Sequence, residues 1–369
     1  MVQYLLSFIH RLYVRFLTSI TEFIRWRIGY RVPSTCRIFY GHDDIPLQQE
    51  EASGGIIKCQ DLQAHFSNSA SDANLIYLVS SALPQFPQYM IRFAKKRGVK
   101  LVWNQNGVAY PAWHGPGWEK TNKPLASSLH KADFVIYQSQ FCRLGSDRFL
   151  GTYQGSSTVL YNPVDTSVFR PPELKPSGWK VLLAGTHNER YRIRIALETF
   201  RQLLFHHPEA ELIIAGPLRW KKDSAEARAD AESLCRLLSI DGKVRFTGPY
   251  SQKDAVSMFQ AAHILLHTQY NDACPRLVVE AMSCGLPVVY SASGGTPELV
   301  GQEAGVGIPA PLDWEKVHPP SPDALACAVV EVHKNYNDYA DAARRRAVEN
   351  FDLAPWLDRH HHIFKEILS

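Results

Sequence analysis

The sequence predicts an α/β protein made of two parallel-sheet domains in tandem, each doubly wound with helices on both faces. Short apolar runs rich in Val, Ile and Leu recur along the chain, stretches with helical period separate them, and one Pro-rich stretch without period divides the series in two.

The first series has strand candidates at 36–40, 75–79, 100–103, 134–137 and 158–161. Gly54-Gly55 precedes a helical stretch at 57–66, and a second helical pattern runs over 87–97. The stretch 169–178, FRPPELKPSG, reads as a linker. The second series has strands at 180–184, 211–215, 244–247, 264–267, 287–290 and 305–308, and helices at about 190–204, 224–238 and 254–261. From Pro322 onward the pattern is helical. The expected organisation is a basic amphipathic helix at 1–31, a first domain at 36–168, the linker at 169–178, a second domain at 179–345 and a closing helix at 346–369. Two such sheets place a ligand in the cleft between them, at the carboxyl ends of the strands.

Size and composition fit this plan. A chain of 369 residues, 45% hydrophobic and 21% charged, has the balance of two ordinary globular domains. Its 7 cysteines are scattered without a CxxC pair, which argues for a reducing compartment and against a disulfide framework or zinc site. The formal charge of +4 resides in residues 1–31, where Arg11, Arg15, Arg25, Arg27 and Arg31 face a single acid, Glu22. The folded body carries no basic stripe, so nucleic acid is not an expected partner.

Within residues 1–31, Ser7, Arg11, Arg15, Thr18, Glu22 and Arg25 mark one polar face, and Leu5, Phe8, Ile9, Leu12, Phe16, Ile20, Phe23 and Ile24 the opposite one. Arginines interrupt the apolar run too often for a membrane span, and no signal-peptide cleavage pattern follows it. A basic helix of this kind fits the membrane interface. The competing reading is a helix packed on its own domain or on a second subunit.

Chemistry concentrates in residues 271–299, NDACPRLVVEAMSCGLPVVYSASGGTPEL. Asp272 precedes the turn Ala273-Cys274-Pro275-Arg276, and Glu280 lies in the first turns of the helix that follows. Carboxylates accept hydrogen bonds from sugar hydroxyls in pairs, which suits a donor sugar and a ribose. Glu280 is also an acid near a helix N-terminus, stabilised by the dipole. Upstream, the strand Leu182-Leu183-Ala184 runs into Gly185-Thr186, Asn188 is placed to cap the next helix, and Arg190, Arg192 and Arg194 crowd its start. Arginine there opposes the helix dipole but suits a phosphate, which draws guanidinium groups and backbone amides to one point; Arg194 reads as solvated. No Ser-His-Asp order, His-Glu-x-x-His motif or Walker loop is present. His360-His361-His362 lies in a helical pattern that points successive rings apart, so no metal is expected there.

These residues resemble the retaining glycosyltransferases of the GT-B fold, specifically the large GT4 group. The resemblance rests on 271–289, on SGGTPELV at 293–300, on Asn162-Pro163-Val164-Asp165 with Phe169-Arg170-Pro171, and on Ile136-Tyr137-Gln138-Ser139. It covers the chain from about Cys36 to the end. It implies that Glu280 binds the donor ribose, and that Asp272 and the backbone from Cys274 through Pro275 to Arg276 hold the donor sugar and its phosphate. It further implies that Gly54 and Gly55 form a close-approach loop facing the diphosphate, and that transfer retains anomeric configuration without an essential metal or a cofactor. Asp272 stands where the family usually has Glu. Thr186 and Tyr191, aligned by Gly185, stand where it usually has Arg and Lys, which shifts the positive charge to Arg190 or Arg192. Asn106 stands where a His is common. His114, in the loop 113–118, is an acceptor-side candidate.

The expected protein is thus a cytoplasmic, peripherally membrane-bound enzyme that uses a nucleotide sugar and a lipid-linked or surface-glycan acceptor. A nucleotide-sugar epimerase of the same fold and a non-catalytic binding subunit are the competing readings. A phosphorylase would need a pyridoxal-phosphate lysine, for which no lysine context speaks.

Overall fold

The computed structural model describes residues 2–27, 35–47, 50 and 54–369. The chain forms two compact units, one comprising the chain up to Leu160 together with Leu357–Ser369, the other Tyr161–Trp356.

The first unit opens with α1 (Val2–Arg27), followed by β1 (Ile38–Phe39), α2 (Gly54–Gln63), β2 (Leu75–Val79), α3 (Pro87–Lys95) and β3 (Lys100–Gln105). Then come α4 (Pro111–His114), α5 (Trp118–Leu129), β4 (Phe134–Tyr137), α6 (Gln140–Phe149) and β5 (Ser157–Val159). The strands pair in parallel in the order β1-β2-β3-β4-β5. The runs LIYLV and FVIY are buried throughout, as strands covered on both faces require. A doubly wound sheet was expected here, yet the described strands follow chain order without reversal, because every crossover advances the same way.

The last turns of α1 dock onto this unit. Trp26 is fully buried, its Nε1 donating to Glu22 Oε2 at 2.9 Å and its ring packing on Phe39. Arg25 forks onto Asp43 at 2.6 and 3.1 Å, and Arg97 Nε donates to the Trp26 carbonyl at 2.9 Å. The end of the expected 1–31 helix, from residue 28, lies outside the described residues.

The second unit alternates β6 (Lys180–Leu183), α7 (Arg190–Leu203), β7 (Glu211–Ala215), α8 (Ser224–Leu237), β8 (Val244–Gly248), α9 (Gln252–Gln260), β9 (Ile264–His267) and α10 (Arg276–Ser283). It continues with β10 (Val288–Ala292), α11 (Thr296–Val300), β11 (Gly305–Pro309), α12 (Pro322–Lys334) and α13 (Tyr336–Phe351). All pairings are parallel, in the order β11-β10-β9-β6-β7-β8. Period-two alternation splits the core between the two faces. Leu182, Ile213 and Leu265 pack with Phe259, Val278 and Met282 on one side. Val181, Leu183 and Leu266 pack with Ile193, Phe200 and Val329 on the other. Side-chain caps fix several helix starts, among them Asp223 on α8 and the reciprocal Ser251–Asp254 box on α9.

Two boundaries differ from the sequence expectation. The stretch 169–178 does not separate the units: Phe169 is buried in the core of the second unit, and its carbonyl accepts from Ser283 Oγ at 2.5 Å and Arg344 Nη1 at 2.8 Å. Nor does a closing helix begin at 346, since α13 runs through that position. The break falls at Asp352, extended at φ −63° and ψ 144°, and α14 (Leu353–Leu368) follows it. From Leu357 onward α14 belongs to the first unit, where buried His360 meets the Tyr77 hydroxyl at 3.0 Å.

Candidate active site

Strand order in the second sheet reverses between β6 and β9, which are neighbours in space but distant in sequence. At such a switch point the loops beyond the two strands diverge to opposite faces and leave a crevice at their carboxyl ends. The Gly185 loop and the Asp272 loop flank this crevice.

The Gly185 loop needs two glycines. Gly185 sits at φ +106° and Gly216, after β7, at φ +111°. A Cβ on Gly216 would lie 2.0 Å from the Gly185 carbonyl oxygen, so the two backbones touch. Next in the loop, His187 is completely buried, with its Nε2 3.0 Å from the Ala215 carbonyl and its Nδ1 buried without a partner. Burial, reinforced by the Arg192 charge, pushes this imidazole down to about 3.

Helix α7 starts differently from the expectation. Its N-cap is Glu189 rather than Asn188, and no side chain caps it. Three arginines at its start have three fates. Arg190 turns outward and forks onto Asp230 at 2.6 and 2.9 Å, an anion that also receives Trp220 Nε1 at 3.1 Å. Arg194 pairs with Glu198 one turn on. Arg192 is buried and folds back so that Nη1 donates to the Thr186 carbonyl at 2.7 Å, while its Nε has no partner. Desolvation lowers the Arg192 pKa, and Asp272 is the strongest charge opposing that effect.

Beyond β9 the Asp272 loop is clamped at several points. Asn271 adopts a left-handed φ of +51°, its N–H donates to Ser293 Oγ at 2.8 Å, and its side chain reaches the Asp313 carbonyl at 3.0 Å. The Gly295 N–H donates to the Asp272 carbonyl at 2.8 Å. Tyr191, at the family's lysine position, accepts from the Tyr270 N–H at 3.0 Å. Thus held, the Asp272 carboxylate stays partly exposed, 3.3 Å from Nε2 of His267 at the end of β9.

Asn162 Nδ2 fixes the Cys274 carbonyl at 2.7 Å. Pro275, the N-cap of α10, has no N–H to offer, and no side chain caps the helix. Glu280 is buried on that helix, and its Oε1 accepts from Arg276 Nε at 2.9 Å and Gln252 Nε2 at 3.3 Å. Beside it, burial and the Glu280 charge push the Tyr250 phenol up, and that hydroxyl meets the Gly185 backbone.

Gly185, Thr186, Arg192, Asp272, Cys274, Pro275, Arg276 and Glu280 therefore belong to one constellation, whereas Arg190 is committed to Asp230. Gly54, Gly55 and Asn106 lie in the first unit, where Gly55 and Asn106 converge on Ser81 while a Cβ on Gly54 would meet nothing within 4 Å. A Cβ on Gly55 would meet Ser81 Oγ at 2.7 Å, and Asn106 Nδ2 donates to that same oxygen at 2.6 Å. Lys58 Nζ, on α2, donates to Asn104 Oδ1 at 3.0 Å within this polar group. His114 is exposed and meets Thr121 Oγ1 at 2.8 Å. Among the described residues no group of three or more His, Cys, Asp or Glu could hold a metal.

Sequence reasoning passed over His187, His267, Tyr250 and Gln252. The signal for His267 was available: a polar residue ending the apolar strand ILLH, shortly before Asp272. Tyr250 and Gln252 carried none, because only the β8–α9 connection brings them to Glu280.

Residues 165–347 match the family model described as "Glycosyl transferases group 1". Among curated proteins, the phosphatidylinositol N-acetylglucosaminyltransferase gpi3 subunit of Schizosaccharomyces pombe is 22% identical over 240 residues, 64% of this chain and 49% of that protein. The D-inositol 3-phosphate glycosyltransferase of Mycobacterium tuberculosis is 34% identical over 156 residues, 38% of this chain and 30% of that one. The chain spans about half the length, or less, of these relatives. Among solved structures, Anabaena HepE in complex with UDP-glucose superposes with a TM-score of 0.65 at 18% identity, covering 79% of each chain. A Rickettsia africae glycosyltransferase gives a TM-score of 0.64 at 17% identity, over 80% of this chain and 77% of that one. These likenesses show the fold: two parallel-sheet Rossmann-like domains in the GT-B manner. Together with the switch-point geometry, the family match identifies the second unit as a glycosyltransferase group 1 domain of the GT-B, GT4-like kind.

Proposed function

We propose that the protein transfers a sugar from a nucleotide-diphosphate sugar to a lipid-linked or surface-glycan acceptor, with retention at the anomeric carbon and without an essential metal. One observation carries the reading: the second sheet's switch point gathers two carboxylates, Asp272 and Glu280, with one buried guanidinium, Arg192. In this reading Glu280, held by Arg276 and Gln252, accepts from the ribose hydroxyls, and Asp272 accepts from hydroxyls of the donor sugar. As the bond from the anomeric carbon to the leaving diphosphate oxygen breaks, negative charge grows on that oxygen. Arg192 and the amides of Cys274 and Arg276 stabilise it, and they do so without reorganising because the loops are already clamped. The acceptor hydroxyl attacks from the face the diphosphate leaves, and its proton passes to a departing phosphate oxygen. The names of the relatives, which act on phosphatidylinositol and inositol phosphate, favour a lipid or polyol acceptor.

A thermal-shift screen with UDP, GDP, ADP and their sugars tests the donor half. Stabilisation by one nucleotide, lost in Glu280→Gln, is expected; no stabilisation by any of them would remove the basis for the reading. Product analysis then separates transfer from the competing chemistries. Turnover of the nucleotide sugar without acceptor, giving an isomeric nucleotide sugar, would show an epimerase. Binding without turnover across an acceptor panel would show a non-catalytic subunit. Transfer unaffected by EDTA is the expected result for the metal.

A further inference from the structure

Helix α1 is docked the wrong way round for a helix in water. Its inward side is polar: Glu22 and Arg25 are drawn in beside Trp26, and Arg15 Nε donates to the Tyr89 hydroxyl on α3. Its outward side is apolar, with Leu6, Ile9, Tyr13, Phe16, Ile20 and Phe23, at alternating spacings of three and four, exposed by 39% to 63%, Phe23 at its end also meeting Phe93 of α3 edge-on. Residues at that spacing form one continuous stripe, roughly 25 Å long at about 1.5 Å per residue. A soluble helix buries such a stripe, and a contiguous exposed apolar surface of this kind marks an interaction site.

What lies beside the stripe specifies the partner. A groove of about 470 Å³ between α1 and α3 is lined by Arg15, Tyr89, Arg92, Lys95 and Lys131. Of its cations, Lys95 is neutralised by Asp133 at 2.7 Å, and α3 contains no acidic residue. Glu22, the acid of α1, is buried and turned inward. A second copy of the chain meeting this face about a two-fold axis would bring the basic rows together. An anionic lipid surface satisfies both features, taking the apolar stripe at the acyl boundary and setting phosphates against the cations.

We infer that α1 is a membrane-interface helix, and that the groove between α1 and α3 receives the phosphate of an anionic phospholipid. No helix among the described residues is long and apolar enough to cross a membrane, so the attachment lies along the surface. The inference rests on the first unit alone and does not require the transferase reading.

Flotation of the full chain with phosphatidylglycerol–phosphatidylcholine vesicles, against pure phosphatidylcholine vesicles, tests it. Binding to the anionic vesicles that weakens with salt is expected. Leu12→Glu/Phe16→Glu should abolish it. Arg92→Ser and Lys131→Ser should each weaken it about fivefold. Leu237→Glu, on exposed α8, should leave it unchanged. All five substitutions lie on exposed positions, and unaltered melting temperatures would confirm that the four variants fold. Equal binding to neutral vesicles would overturn the phosphate groove. Undiminished flotation of Leu12→Glu/Phe16→Glu, or a dimer in sedimentation that this variant dissolves, would overturn the interface helix. Nucleotide-induced thermal shifts should be the same in every variant, which keeps this result separate from the fate of the proposed donor site.

Discussion

Gly294 and Asp272 touch through their backbones: a Cβ added at Gly294 would stand 2.3 Å from the Asp272 carbonyl oxygen. Gly294 also lies at φ +66°, so any side chain there meets both a steric and a conformational penalty. The contact fixes the height at which the Asp272 carboxylate leaves its loop. Gly294→Ala should lower stability by at least about 1 kcal/mol from the backbone conformation alone. It should also weaken donor binding more than that loss of stability explains. Urea unfolding and calorimetric titration of the nucleotide sugar check both, and a variant with unchanged midpoint and affinity would show that the two loops can separate freely.

The arginines of α7 should separate cleanly on mutation. Arg190 is half exposed in its pair with Asp230, and exposed pairs contribute on the order of 0–1 kcal/mol. Arg190→Ala should therefore leave turnover nearly unchanged. Arg192→Met keeps the buried volume and removes the charge. If Arg192 stabilises the departing diphosphate, turnover should fall by about 100-fold or more, the order found when one charge-stabilising donor is lost. A steady-state comparison of the two variants decides whether the positive charge has moved to Arg192.

Asp272 and Glu280 should fail in different ways. Glu280→Gln weakens a hydrogen bond to a charged acceptor, worth about 1.5–3 kcal/mol, so nucleotide affinity should drop roughly 10- to 100-fold. Asp272→Asn should leave the affinity for free nucleotide intact and reduce kcat/KM with the sugar nucleotide. Titration of both variants with nucleotide and with nucleotide sugar provides the test; an equal loss of free-nucleotide affinity in the two would merge their roles.

His187 should make the second unit sensitive to acid. The folded imidazole is held down to about 3 by burial, whereas an unfolded histidine titrates near 6.5. Between those values the unfolded chain binds a proton that the folded chain refuses, so stability falls as pH falls. The slope is about 1.4 kcal/mol per pH unit for this group. Urea midpoints at successive pH values should show that slope shrinking in His187→Gln. An unchanged slope would mean that His187 titrates normally in the folded protein. His263, held down to about 4, acts in the same direction and should remain in the variant.

The sequence by itself determined the alternation of strands and helices and the stretch 271–299 that builds the Asp272–Glu280 turn. Both are encoded locally: fully buried parallel strands leave uninterrupted apolar runs such as LIYLV, and the turn places Pro275 directly before α10. Tertiary structure decided what depends on side-chain direction and on partners distant in the chain. Arg190 and Arg192 are adjacent in pattern, yet successive helical positions differ in direction by about 100°, so one meets Asp230 on α8 and the other the Thr186 carbonyl. Gln252 reaches Glu280 only through the β8–α9 connection, and His360, placed by the sequence in a helical pattern without a partner to name, is locked against Tyr77. The same distinction applies to α1. Its two faces were legible from their period, but only the packing of Glu22, Arg25 and Trp26 shows that the polar face is the docked one and the apolar face looks outward.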